Sequence, residues 1–194
     1  MDIIEAIRQR CSVRKYKDKP VKIDDALEIL NIAREAPSSG NIQNWRFIIV
    51  TDDSKRKEIS IACLNQLWMT EAKVHIVICN DYQEVIDNYD EQGKKYSIQN
   101  CAIAAQNIML AALEFNLGTC FVAAFDDFAI RRILKIPESI DIEAIITLGH
   151  PNEILKEKKY GLEITTYINE FGLKTKPKED FIKNIAKKLI SSKH

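Results

Sequence analysis

Apolar positions along the chain follow two rhythms, one near 3.6 residues and one near 2, and their order predicts the elements. Ile3, Ile4 and Ile7 fall at helical spacing over residues 2–10, with Asp2 placed to cap. Ala26, Leu27, Leu30 and Ala33 repeat the pattern over 24–35, after an Asp24 cap. Ala36-Pro37-Ser38-Ser39-Gly40-Asn41 cannot continue that helix, because proline lacks the donor and glycine and asparagine accept turn geometry. Arg46–Val50 is a short apolar run with β-branched residues, hence a strand. Ser54 opens a helix to about Leu67, and Val74–Cys79 reads as a second, buried strand. Residues 81–97 are polar apart from Tyr82, Tyr89 and Tyr96, and read as a mobile lid or a loosely packed helix.

Ile98–Phe115 carries the strongest helical signal. It is apolar almost all round, which implies a central buried helix or one at a dimer interface. Asn116-Leu117-Gly118 stops it. Thr119–Ala123 reads as a third strand, Asp127–Leu134 as a helix, and Ile142–Leu148 as a fourth strand, ended by Gly149-His150-Pro151. Beyond residue 152 the core pattern fades. Ile164–Ile168 alternates weakly, as an edge strand would. Phe181, Ile182, Ile185, Ala186, Leu189 and Ile190 form an amphipathic helical stripe, with the Lys-rich 174–188 stretch as its solvated face and linker.

Composition narrows the class without naming a function. The 194 residues are 46% hydrophobic and 29% charged, the balance of an ordinary soluble globular chain. Lys plus Arg and Asp plus Glu both total 28, so no global field favours nucleic acid or an anionic membrane, and neither is expected as a partner. No apolar run approaches 18 residues and the N-terminus lacks a secretory pattern, so a cytoplasmic location is expected. Five cysteines, at 11, 63, 79, 101 and 120, have no Cys-x-x-Cys spacing and read as reduced thiols. Three histidines (75, 150 and 194) stand far apart with no ligand spacing, so no metal is expected. Glycine-rich dinucleotide and phosphate-loop motifs are absent, as is Gly-x-Ser-x-Gly.

Three segments carry candidate chemistry. In Arg10-Cys11-Ser12-Val13-Arg14, two forked guanidiniums and a hydroxyl fall at alternate positions, which share one face if the segment is extended. Ala36–Trp45 is a turn dense in amide and hydroxyl donors. Leu117–Asp126 ends a strand in Ala123-Ala124, small enough for a flat ring to approach the backbone. Taken singly, each has a plain structural explanation: helix-end charges, a connecting loop, tight packing.

In this order the segments resemble the nitroreductase family of FMN-dependent oxidoreductases, over roughly residues 1–170. The resemblance rests on Arg-x-Ser-x-Arg at 10–14, Pro20-Val21, and Ala-Pro-Ser-Ser-Gly-Asn-x-Gln-Asn-Trp-Arg-Phe at 36–47. It continues through Gln106-Asn107, Leu110-Ala111-Ala112, Leu117-Gly118-Thr119, Ala-Phe-Asp at 124–126, and Leu-Gly-His-Pro at 148–151.

The family implies an α+β fold: a three-layer α/β/α sandwich with a mostly antiparallel sheet of four to five strands and a long central helix at a dimer interface. It implies one FMN-binding domain over 1–170, then a 171–194 extension whose helix packs on the domain or a partner subunit. It further implies that Arg10, Cys11, Ser12 and Arg14 hold the FMN phosphate and ribityl chain. Pro37, Ser38, Ser39 and Asn41 would touch the phosphate or isoalloxazine, partly across a homodimer. Asn65 would meet the pyrimidine ring, and the backbone of Ala123 and Ala124 would approach flavin N5 and O4. A basic residue would reach the phosphate from Lys156, Lys158 or Lys159, with Lys158 favoured. No side chain would be catalytic as such. Hydride would pass from NADH or NADPH to flavin N5, and electrons on to a nitro, quinone or related small acceptor, in a ping-pong cycle. A flavin-binding protein without turnover, the same fold with another reaction, and a cofactor-free interaction domain remain as alternatives.

Overall fold

The computed structural model describes residues 2–173. These fall into two compact units, residues 1–156 and residues from 157 on. The predicted amphipathic helix at 181–190 lies outside the described residues.

The first unit is built on four strands: β1 (Trp45–Val50), β2 (Val74–Asn80), β3 (Gly118–Val122) and β4 (Asp141–Gly149). They pair antiparallel throughout, in the order β1-β2-β4-β3. The helices are α1 (Ile3–Gln9), α2 (Ile23–Ala33), α3 (Asp53–Ala62), α4 (Gln83–Tyr89), α5 (Gly93–Glu114) and α6 (Asp127–Leu134). Every residue of β2 is buried, because both sheet faces are covered. Val74, Ile76 and Ile78 face a core shared with α2 and α5, whereas Val77 and Cys79 face one shared with α3 and α6. Period-two alternation therefore feeds two cores, and the fold has three layers.

Side-chain oxygens set three helix starts. Asp2 accepts from the Ile4 N–H, Asp52 from the Lys55 N–H and Asp126 from the Ala129 N–H, each stabilising its helix by about 1 kcal/mol. At α2 the sequence reading needs correction. The helix starts after Lys22, so Asp24 sits in the first turn, where it acts through the helix dipole. The 81–97 segment is neither a lid nor loose. It is α4, a short 3-10 turn at Asp90–Gln92, and the first turn of α5, with Val85 fully buried and Tyr89 edge-on to Tyr96 at 5.3 Å. Residues 162–165 form one helical turn rather than the edge strand read from Ile164–Ile168. Weak alternation does not make a strand without a neighbour to pair with, and none lies beside it among the described residues. No helix among the described residues is long and apolar enough to cross a membrane.

Two buried side chains, one on α3 and one on β2, are polar for reasons the pattern did not show. Arg56 of α3 is buried and donates to the Thr51, Thr70 and Ala72 carbonyls and to Asp53, closing the loop before β2. His75 of β2 donates from Nε2 to the Met69 carbonyl at 2.9 Å, and its Nδ1 has no partner. Burial, with Arg56 nearby, pushes its pKa down to about 4. Between that value and the ordinary 6.5 the unfolded chain binds the proton that the folded chain refuses. Stability is therefore fully present above about 6.5 and falls as pH drops toward 4, by up to roughly 3 kcal/mol. Urea unfolding at pH 7 and pH 4.5 should show a steeper acid loss in the wild type than in His75→Gln. Equal slopes would remove His75 as the cause.

Candidate functional site

The chain between α1 and α2 is stitched to the far edge of the sheet. The Val13 N–H donates to the Thr119 carbonyl at 2.9 Å, and Ser12 forms a parallel bridge with Thr119. Tyr16 pairs with Pro151, Lys17 N–H donates to the His150 carbonyl and Asn152 N–H to the Lys15 carbonyl. The buried Tyr16 hydroxyl, 2.7 Å from Thr147 Oγ1, donates to the Val13 carbonyl, also at 2.7 Å, and desolvation raises its pKa. Lys15 pairs with Glu153, and Glu71 accepts from the Tyr16 N–H. Residues 12–17 are thus held on both sides.

The expected alternation follows. Val13 is buried against the sheet, while Ser12 is half-buried and Arg14 exposed. Arg10, at the C-cap of α1, Ser12 and Arg14 all act on the Cys120 thiol of β3. Burial pushes that thiol up, and Arg14, the Ser12 hydrogen bond and Arg10 pull against it. Among the described residues neither Arg10 nor Arg14 has a carboxylate partner, although eight ion pairs occupy other cations there. Two unneutralised guanidiniums beside a hydroxyl have the donor chemistry of a candidate anion site. A cavity of about 420 Å³ opens beside Arg10, lined by Cys11, Val13, Leu113, Asn116, Thr119 and Lys156 among others, but not by Ser12 or Arg14. Of the three candidate lysines only Lys156 lines it. Lys158 and Lys159 belong to the second unit.

β3 links these residues to the Leu117–Asp126 segment. Ala123 and Ala124 are exposed just beyond its end, about 13–17 Å along the strand from Ser12 at 3.3 Å per residue. The Asp126 N–H donates to the Ala62 carbonyl at 2.9 Å, which brings this strand end to the turn holding Asn65. Leu64 and Asn65 both have positive φ (56° and 58°), and Asn65 is exposed. One chain therefore gathers Arg10, Ser12, Arg14, Ala123, Ala124 and Asn65 along one edge.

The Ala36–Trp45 segment lies elsewhere. Pro37 is exposed and Ser38 and Ser39 are half-buried in a loop where Gly40, Asn41 and Gln43 all have positive φ (58°, 58° and 54°). Asparagine tolerates that region, and Gln43 is held there by its N–H to Ser38 Oγ at 3.1 Å. Ser39 bonds to Asn100 of α5 through both its N–H and its hydroxyl oxygen. Asn100 and Leu113, which lines the anion-site cavity, are thirteen residues apart on α5 (113 − 100), or about 20 Å. A single chain does not bring the Ser38–Asn41 loop to Arg10 and Arg14.

Sequence reasoning missed the polar residues behind that loop. Asn44, Asn80, Ser97 and Asn100 are all buried. The signal was there: Ser97 and Asn100 are one turn apart on the otherwise apolar face of α5.

The pattern of the Nitroreductase family matches residues 7–69 and 60–150. A protein of Archaeoglobus fulgidus with the provisional name NADH dehydrogenase/NAD(P)H nitroreductase is 32% identical over 156 residues, 78% of this chain and 87% of its own. An NADPH-flavin oxidoreductase of Vibrio harveyi is 29% identical over 158 residues, 77% of this chain and 66% of its own. Among solved structures, an FMN-dependent nitroreductase from Clostridium difficile R20291 superposes with a TM-score of 0.73 at 30% identity, over 87% of this chain and 99% of that one.

Close packing ties the anion site to the sheet. A Cβ on Gly118 would stand 2.7 Å from Val13 Cγ2, and one on Gly149 2.7 Å from the Tyr16 ring. Gly118→Ala should lower stability by about 1–3 kcal/mol. Adding Val13→Ala should recover part of the loss, as a double-mutant cycle in urea would show. Additive losses would mean that the two side chains do not meet.

Proposed function

Because the chain belongs to the nitroreductase family, we propose that it is an NAD(P)H-dependent oxidoreductase that binds FMN and works on a small nitro, quinone or related acceptor. The observation that carries the reading is the pair of unneutralised arginines, Arg10 and Arg14, flanking Ser12 at one end of an open strand. FMN has a dianionic phosphate at one end and a flat ring at the other, so it extends in the sense that this edge offers. Arg10, Ser12 and Arg14, with Cys11 beside them, would hold the phosphate. Of the three candidate lysines, Lys156 lines the cavity beside Arg10 and would add a charge from this unit.

Thr119 directs its carbonyl off the free side of β3, toward Val13. Continued one residue past the end of β3, the alternation would carry the Ala123 N–H in the same direction, where the polar edge of a ring could meet it. Asn65 would bond the ring's pyrimidine side from the neighbouring turn. Held there by Arg10, Ser12 and Arg14, FMN would supply hydride and electron transfer between NAD(P)H and the acceptor, in a ping-pong cycle. The chain's task is to fix and polarise it, so no side chain serves as acid or base.

The site would be completed by a second copy. Ser38, Ser39 and Asn41 carry donors suited to the same ligand, yet stand about 20 Å away along α5 within one chain. A homodimer resolves this, the loop of one chain meeting the arginines of the other. Exposed apolar side chains on α1 (Ile3, Ile4 and Ile7) and α5 (Ile98 and Ile103), two helices that pack together, offer the surface such a dimer would bury. The five free cysteines suit the reducing cytoplasm as its location.

Purified protein should absorb in the flavin bands, bleach anaerobically on addition of NADH or NADPH, and recover when a quinone or nitroaromatic is added. Protein that is yellow but never bleached would refute the enzyme. Arg14→Ala should weaken FMN binding by roughly 2–4 kcal/mol, since a charge-assisted phosphate contact is lost. In a shared site, co-expressing Arg14→Ala with Ser39→Ala chains should yield heterodimers with one wild-type site and one doubly impaired. A biphasic FMN titration with one wild-type affinity is expected, and a single weak phase would refute the shared site.

A further inference from the structure

The Ser39 hydroxyl is oriented from inside the fold. Ser39 N–H donates to Asn100 Oδ1 at 3.0 Å, which fixes the Asn100 amide with its nitrogen on the other side. That nitrogen donates to Ser39 Oγ at 2.9 Å and to Asn44 Oδ1 at 2.7 Å. Asn44 must then present its own nitrogen inward, to the Ser97 carbonyl at 3.1 Å and Asn80 Oδ1 at 2.6 Å. Asn80 donates in turn to Glu143 Oε1 at 2.6 Å and to Ser97 Oγ at 3.0 Å. The register shift that pairs Ile78 with Ala144 and Cys79 with Ile142 leaves Glu143 unpaired across the sheet, free to take that bond.

The direction of the chain is therefore not a matter of choice. A backbone N–H at one end, and a carbonyl and a carboxylate at the other, admit one orientation of all three amides. Ser39 Oγ is an acceptor toward the core, and among the described residues its own proton has no acceptor. Asn100 and Asn44 are both more than nine-tenths buried, so the arrangement does not exchange freely with water.

We propose that Asn100, held by Asn44, is a positioning residue that commits the Ser39 hydroxyl to donate its proton to an oxygen acceptor of the bound flavin, either a ring carbonyl or the phosphate. This rests on the flavin reading above. It adds that the serine's polarity, and not merely its presence, is set from the centre of the fold.

Asn100→Asp tests polarity at constant shape. A carboxylate at 100 still accepts from Ser39 N–H but accepts a hydrogen bond from the Ser39 hydroxyl instead of donating one to it, so that Ser39 faces the ligand with its lone pairs. Flavin affinity should be read by fluorescence quenching for FMN and for riboflavin, with circular dichroism and apo melting as folding controls. Asn100→Asp and Ser39→Ala should each weaken FMN about tenfold, Ser39→Thr should stay within about threefold of wild type, and the double variant should be no weaker than Ser39→Ala by more than about twofold. Loss for both flavins places the acceptor on the ring, and loss for FMN alone places it on the phosphate. Should Asn100→Asp not fold, Asn100→Ala carries the same cycle, with a smaller loss that again vanishes beside Ser39→Ala. Wild-type affinity in the Asn100 variant, or losses that multiply in the double, overturns the proposal while the flavin reading stands. A wild-type protein that binds neither flavin overturns both.

Discussion

A sheet buried on both faces leaves little room for chemistry. β2 and most of β4 are enclosed between the α2/α5 and α3/α6 layers, and their side chains are committed to packing. Only the strand ends and the outer strands can meet a ligand. Of those, β3 has one side paired to β4 and the other partly open. The 12–13 segment covers just its beginning, through the Val13–Thr119 hydrogen bond. That bond points Val13 inward and Ser12 and Arg14 outward, and leaves the rest of the strand edge open. Two glycines, at 118 and 149, let it form, because a side chain at either would collide with Val13 or Tyr16.

The same constraint separates the polar groups. Those that cannot lie on a buried face collect at opposite ends of the layers: the arginines beside the end of α5, the serine loop beside its first turns. A ligand that needs both draws on two chains. The two ends are also built differently. Arg10 and Arg14 are uncompensated, which costs little while water solvates them and leaves them ready for an anion. Asn44, Asn80 and Asn100 lie where water does not reach, so each must be fully bonded, and full bonding leaves one arrangement.

The sequence shows the strands and the central helix because burial on two faces or nearly all round leaves an apolar run, as in Ile76–Ile78 and Ile108–Leu113. It fails where half-buried surface is made by few residues. In 81–97 one buried valine, a tyrosine pair and the Lys94 ammonium over the Tyr82 ring do the packing, and the remaining polar positions mask them. The site divides similarly. Arg10, Ser12 and Arg14 are legible because alternation suffices to align them. Glu143 and Asn80 are not, since only the bulge at 142–144 and a cross-strand register bring them together.

That division bears on which residues can change without loss of the site. A solvated arginine acts through its own charge, so its neighbours matter little once the backbone is held. An amide in the Asn44–Asn80–Asn100 chain acts through direction, and a donor in place of an acceptor at any link leaves two like groups facing each other in a dry interior. The fault cannot stay local, because each amide's second group is already committed. It must either break a bond at the next link or turn the Ser39 hydroxyl. Residues behind the loop thus govern how the Ser39 hydroxyl is presented, and the path runs through hydrogen bonds whose polarity is fixed by a backbone N–H at one end and by a carbonyl and a carboxylate at the other.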